Sequence, residues 1–302
     1  MSGSLSLFKI STNVRFAASA WLFPELAAAW AERLFLTPPP ASREAGAAAA
    51  LDLIEARTTL IEHRGRQIAA WRWGERDAPA VILAHGWGGY AAQMRAFVFP
   101  LLSAGYRVIA YDQPAHGVSE GRLTGLPDFA DALGHIAGYY GGVVGFVGHS
   151  LGAAAGALAA AEGKLHFERA VLVSPPADLV GYSRRFARWY WMPEAVRRAM
   201  QAAIEERYGV LWHDLEMSRL AHRLPAPALV IHDRDDRRVP WTQGARVAQL
   251  WPGARLMSTD GLGHNRILAN EAVAHAAADF IAGRSGVASP AAPALPQPAA
   301  LY

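Results

Sequence analysis

Three short stretches carry residues suited to nucleophilic chemistry. GHSLG at 148–152 sets Ser150 between the apolar run ending at Gly148 and the alanine-rich stretch beginning at Leu151. A strand, a tight turn and a helix in that order lift a serine Oγ into the open, which is the context of a nucleophile elbow. HGWGG at 85–89 follows a second apolar run, and its glycines free backbone N–H groups. Acyl transfer needs two such donors aimed at a developing oxyanion, and Trp87 N–H and Leu151 N–H are the expected pair. GLGHN at 261–265 puts His264 in a glycine-flanked loop after the last apolar run, where an imidazole can serve Ser150 as general base. His85 reads as structural, and His116 belongs to the turn DQPAHG.

A fourth stretch, HDRDDRRVP at 232–240, holds Asp233, Asp235 and Asp236 among Arg234, Arg237 and Arg238. It could be a solvated loop, a metal site, or one working acid with two bystanders. Three arginines would compete with a cation for the carboxylates, which disfavours a metal.

The elements that must position these residues alternate along the chain. The segment 58–74 reads as two strands joined at Arg64 and Gly65. Short apolar runs follow at 79–84, 106–112, 141–148, 169–174, 227–232 and 254–258, separated by stretches of helical pattern. Continuous apolarity in strands means that both faces are covered, so the expectation is an α/β class with a mainly parallel sheet and helices on each side. The interval 179–226 breaks the rhythm; long, arginine-rich and aromatic, it predicts a helical cap inserted over the sheet.

Residues 15–36 read as one or two amphipathic helices packing on the domain, with shallow membrane association as the secondary reading. Pro24, Glu25, Glu32 and Arg33 deny this stretch the ~20 uninterrupted apolar residues of a membrane span. Residues 38–50 read as a linker, so that 1–54 is an N-terminal extension, 55–283 the main domain and 284–302 a disordered Pro/Ala-rich tail.

In a chain of 302 residues, 52% hydrophobic composition supports a substantial core. No cysteine is present, which excludes disulfides, thiolate metal sites and cysteine nucleophiles. A formal charge of +3 with no basic run beyond Arg184, Arg185 and Arg188 argues against a nucleic-acid partner. The expected location is cytoplasmic.

Taken together, HGWGG, DQPAHGVSEG (112–121), GHSLG, DRDDRRVP and GLGHN, each after an expected strand and in this order, resemble the α/β-hydrolase family over about residues 55–283. The resemblance implies Ser150 as nucleophile, His264 as base, Trp87 and Leu151 as oxyanion donors, and an aspartate of the 232–240 loop as acid. In that family the acid commonly precedes a Val-Pro pair by three residues, which selects Asp236. Asp178, after the earlier run 169–174, is the rival, because some relatives place the acid there. Asp233 falls at the strand edge, and Asp235 is expected to face solvent or a neighbouring arginine.

The implied activity is carboxylesterase on apolar acyl or aryl esters, with no metal or organic cofactor and a small-molecule ester as partner. Trp87 and His149 beside the serine, and Trp189 and Trp191 in the insertion, are the candidate substrate contacts. Tyr182, Phe186, Tyr190, Tyr208 and Trp212 supply further aromatic surface. An amidase or aminopeptidase would instead need an acid in the cap, with Glu194, Glu205, Glu206 and Glu216 available. A non-catalytic binding scaffold is the remaining alternative.

Overall fold

A computed structural model describes residues 24–50, 53, 55–224 and 226–284. Strands β1 (Arg57–His63) and β2 (Arg66–Trp73) pair antiparallel. The chain reverses at Arg64 and Gly65, whose φ values of 51° and 73° are those of a two-residue turn matched to strand twist. Six strands follow, each where an apolar run stands: β3 (Ala80–Ala84), β4 (Arg107–Tyr111), β5 (Gly145–His149), β6 (Arg169–Val173), β7 (Ala228–Asp233) and β8 (Arg255–Thr259). The sheet order is β1-β2-β4-β3-β5-β6-β7-β8. β2 runs antiparallel to both neighbours and the remaining pairs are parallel.

β3, β5 and β7 are buried throughout. Ala80, Ile82 and Ala84 of β3 join one hydrophobic cluster, whereas Val81 and Leu83 join the other. Alternate residues of one strand thus feed a core on each face, which is why the run is apolar without alternation. The helical layers on the two faces include α4 (Leu126–Tyr139), α5 (Leu151–Ala161) and α9 (Trp241–Leu250) on the first, and α3 (Val98–Ser103) and α11 (Glu271–Ile281) on the second.

Ahead of the sheet lie α1 (Pro24–Leu36) and α2 (Pro40–Ala50). Residues 15–23 of the expected amphipathic segment, and 285–302 of the expected tail, lie outside the described residues. The reading of 38–50 as a linker is corrected: from Pro40 the chain is helical, and it is docked. Arg43 donates to the carbonyls of Gly121 (2.8 Å), Ser119 (3.1 Å) and Ala115 (3.4 Å). A Cβ on Gly46 would stand 2.7 Å from the Cα of Gly117, so a side chain there would push α2 away from the loop it covers.

Between β6 and β7 the chain forms α6 (Leu179–Trp189), α7 (Glu194–Tyr208), a 3₁₀ turn (Trp212–Leu215) and α8 (Met217–Leu220). Helix α1 packs on this group. Glu32 pairs with Arg207, and the Phe35 ring stacks on Trp212 (5.4 Å between centroids) and meets Tyr182 and Phe186 edge-on. Aromatic pairs of this kind add about 0.5–1.5 kcal/mol each beyond their buried area. No helix among the described residues is long and apolar enough to cross a membrane.

Candidate active site

The parallel strands end side by side, and the loops after β3, β5, β7 and β8 meet at that edge. Such an edge is where open α/β sheets build their sites. Ser150 caps the N-terminus of α5 with φ 51° and ψ −122°, a conformation that costs a non-glycine residue about 1–3 kcal/mol. The turn is held because Ser150 N–H donates to Val173 O at 2.9 Å, continuing the β5–β6 ladder.

Absent side chains bring the HGWGG loop against this turn. A Cβ on Gly86 would meet the Ser150 Cβ at 2.8 Å, and one on Gly152 would meet the His85 carbonyl oxygen at 2.4 Å. Trp87 and Leu151 line the same cleft as Ser150, and neither backbone N–H has an acceptor among the described residues. These are two donors without a partner beside the serine, as an oxyanion site requires.

His264 opens the short helix α10 (Gly263–Arg266) after β8. Its Nδ1 lies 2.7 Å from Asp236 Oδ2, and its Nε2 lies 3.1 Å from Ser150 Oγ. An ionised carboxylate only accepts, so the proton sits on Nδ1 and leaves Nε2 to accept from the serine hydroxyl. The Asp236 side chain is fully buried. Burial works to raise its pKa, but the nearby His232 imidazole and hydrogen bonds from His264 and Val239 N–H outweigh it and hold the carboxyl well below the usual range. Oδ1 accepts from Arg238 N–H at 2.8 Å and Val239 N–H at 2.9 Å. Asp236 is thus an ionised acceptor that orients the imidazole.

The other two aspartates of this loop are not bystanders. Asp233 is buried; its Oδ2 accepts from the Thr259 hydroxyl (2.7 Å) and Leu262 N–H (3.0 Å), and its Oδ1 from Asp235 N–H (3.0 Å). Asp235 faces solvent at its own position yet accepts from Gly261 N–H at 2.9 Å. Both tie the acid loop to the loop that carries His264. Asp178 caps α6 by accepting from Gly181 N–H, while the imidazole is held by Asp236.

Of the expected substrate contacts, only Trp87 lines the cleft. His149 is 4% exposed and its Nε2 donates to the backbone carbonyl of His264 at 2.9 Å, so it supports the base rather than touching the cleft. Burial, aided by the neighbouring His264 imidazole, pushes His149 down to about 3 and keeps it neutral. Trp189 and Trp191 are 63% and 67% exposed and do not line the cleft. Trp189 stands two helical turns beyond Tyr182, a displacement of about 10 Å along α6.

The cleft holds ≈ 150 Å³ of space that a water-sized molecule can enter. The cap contributes Tyr182, Ile204, Tyr208, Trp212 and Leu215, and α1 contributes Phe35 and Leu36. The α1 residues were not foreseen, because nothing local in the sequence reports a contact made across more than a hundred residues. His232 was also missed. Fully buried at the end of β7, it donates from Nε2 to Val239 O at 2.9 Å and stands 3.4 Å from Asp236 Oδ2. The available signal was a histidine closing an otherwise apolar strand run. His85 and His116 are structural: Nε2 of His85 accepts from Gln113 N–H, and Nε2 of His116 from Gly88 N–H.

Comparison with known proteins agrees with this fold. A curated relative, a non-heme chloroperoxidase of Streptomyces lividans, is 39% identical over 67 residues, 22% of this chain and 24% of its own. The chain therefore spans about a quarter of the length of the curated relative it matches. A hydrolase from Pseudomonas aeruginosa superposes with a TM-score of 0.59 at 21% identity, covering 75% of this chain and 98% of the other. A carboxylesterase from Bacillus subtilis superposes with a TM-score of 0.56 at 20% identity, covering 80% and 97%. At these identities the structures share the fold. The sequence model of the alpha/beta hydrolase family matches residues 81–277, the stretch that supplies Ser150, Asp236 and His264, and the chain belongs to that family.

Proposed function

We propose that the protein is a serine hydrolase of carboxylic esters with an apolar acyl or aryl group, working through an acyl-enzyme. The observation that carries this reading is the unbroken series Ser150 Oγ, His264 and Asp236, at 3.1 and 2.7 Å, opening on an apolar cleft. His264 takes the Ser150 proton as the oxygen attacks the ester carbonyl, and Asp236 holds the imidazole in the required tautomer and stabilises the imidazolium. Trp87 and Leu151 N–H groups receive the oxyanion. His264 then protonates the leaving alkoxide, and water activated by the same imidazole releases the acid.

An aminopeptidase reading is disfavoured by the cleft itself, whose lining among the described residues includes no carboxylate to hold a substrate amine. Glu194 is engaged by Arg197 and Arg198, and Glu205 accepts from Gln201 and Trp212 N–H. The test is labelling by a serine-directed fluorophosphonate, with turnover of a graded series of aryl esters against matched amides. Labelling at Ser150 with ester turnover well above amide turnover is expected. Absence of both labelling and ester turnover, with the fold intact, would sink the reading.

A further inference from the structure

Among the described residues the cleft is lined by a single permanently charged side chain, Arg238, in mostly apolar and aromatic surroundings. Its backbone is fixed, since Arg238 N–H donates to the Asp236 carboxylate that orients His264. Of the lining residues only Tyr182 and Arg238 are exposed, so together they mark the rim. Of the other arginines in this loop, Arg234 stacks on Trp241 and pairs with Asp260, and Arg237 does not line the cleft. Arg238 has no carboxylate within ion-pair distance among the described residues.

A second guanidinium approaches the same rim from the cap. Arg185 lies 5.9 Å over the ring of Tyr182, and its Nη2 is buried with no hydrogen-bond partner among the described residues. Burial raises the pKa of Tyr182, and the positive charges of Arg185 and Arg238 both act against that rise, so both guanidiniums make themselves felt at this rim residue. A buried guanidinium nitrogen without an acceptor, such as Nη2 of Arg185, is costly, and an anion at the rim would give that nitrogen an acceptor and give the exposed Arg238 a counter-charge.

We propose that Arg238 and Arg185 form an anion-recognition site at the rim, so that the preferred esters carry an apolar acyl group and a carboxylate, sulfonate or phosphate on the leaving alcohol. The acyl chain fills the buried end between Phe35, Leu126, Ile204 and Trp212, the ester carbonyl sits at Ser150, and the anion reaches the arginines. This rests on the serine-hydrolase reading and names its substrate class.

The experiment compares 4-carboxyphenyl butyrate with 4-carbamoylphenyl butyrate, two aryl esters of nearly equal shape that differ in one charge. The unmodified protein should favour the carboxylate ester in kcat/KM by about 10-fold at low salt, chiefly through KM, as charged hydrogen bonds of ordinary strength allow. The ratio should shrink as salt screens the rim. In Arg238→Gln it should fall towards one, and in Arg185→Gln part of the way. The ratio is internal to each variant, so a general loss of activity does not obscure it. Normal fluorophosphonate labelling with equal turnover of both esters would overturn the anion site alone, as would a preference that persists in the double variant. Neither labelling nor turnover would overturn the hydrolase reading and this inference with it.

Discussion

His232 and His264 meet the same oxygen of one carboxylate: Nε2 of His232 lies 3.4 Å from Asp236 Oδ2, and Nδ1 of His264 lies 2.7 Å from it. The two imidazoles come from different sides, one buried beneath the acid loop and one facing the cleft. His232 also donates to Val239 O, closing the loop three residues beyond Asp236. It is therefore a positioning residue that acts through the carboxylate. His232→Leu, close in size, should lower kcat about 10-fold with KM little changed, and destabilise by about 1–3 kcal/mol because a buried carbonyl loses its donor. Steady-state ester kinetics and denaturant unfolding would test this. An unchanged kcat beside a lowered stability would reduce His232 to a structural role.

Asp236→Asn should reduce turnover by up to about 10⁴-fold, since an amide permits the wrong imidazole tautomer. Asp178→Asn should leave turnover near normal and, because asparagine also caps helices, change stability by only a few tenths of a kcal/mol. Collapse of activity in Asp178→Asn with near-normal activity in Asp236→Asn would reverse the assignment of the acid.

Ser150→Ala should lower esterase turnover by orders of magnitude and abolish fluorophosphonate labelling. Ser150→Gly should be equally inactive yet more stable than Ser150→Ala by about 1 kcal/mol, because glycine adopts φ 51° without strain. The comparison is read by equilibrium unfolding. Equal stability would mean that the elbow stores no strain at this residue.

Phe35 joins α1 to the cap and lines the cleft. Phe35→Ala should shift the preferred acyl length more than the rate of fluorophosphonate labelling, and Trp212→Ala should do the same. A uniform loss for every ester, with labelling unaffected, would show that this wall does not select the acyl group.

Three buried histidines set the acid side of the stability profile. Burial pushes His149 from 6.5 to about 3 and His116 from 6.5 to about 4, and holds His85 well below 6.5. Each stays neutral in the fold and takes up a proton on unfolding once the pH falls below 6.5, so stability falls as pH falls. The slope approaches about 1.4 kcal/mol per pH unit for each such histidine. Asp112 opposes this between 3.8 and about 6, because burial raises its folded pKa, but it is one group against three. Urea unfolding from pH 7.5 to 5 should show the decline, with a smaller slope in His149→Gln. A flat profile would contradict neutral burial of these rings.

The positions of the strands and the hairpin at Arg64 and Gly65 were legible in the sequence for a local reason, and the meeting of Ser150, His264 and Asp236 was legible through their motifs, with Asp236 singled out by the family resemblance. A strand buried on both faces must be a short unbroken apolar run, and a side chain at its C-terminal end lies at the sheet edge wherever the strands run parallel. GHSLG also reports its own turn, because glycines at 148 and 152 stand where Cβ atoms would meet Ala153 and the carbonyls of Ala84 and His85. What surrounds those residues depended on contacts distant in sequence. Residues 40–50, alanine-rich and without amphipathic period, read as a linker until Arg43 and Gly46 found the 115–121 loop. Trp189 and Trp191 had the composition of a pocket wall, but their places at the end of α6 and just beyond it took them to the surface, while Phe35, from the far end of the chain, took a place in the cleft. Periodicity states which face of an element is apolar; which partner covers that face, and therefore what lines the cleft, is decided only when the elements pack.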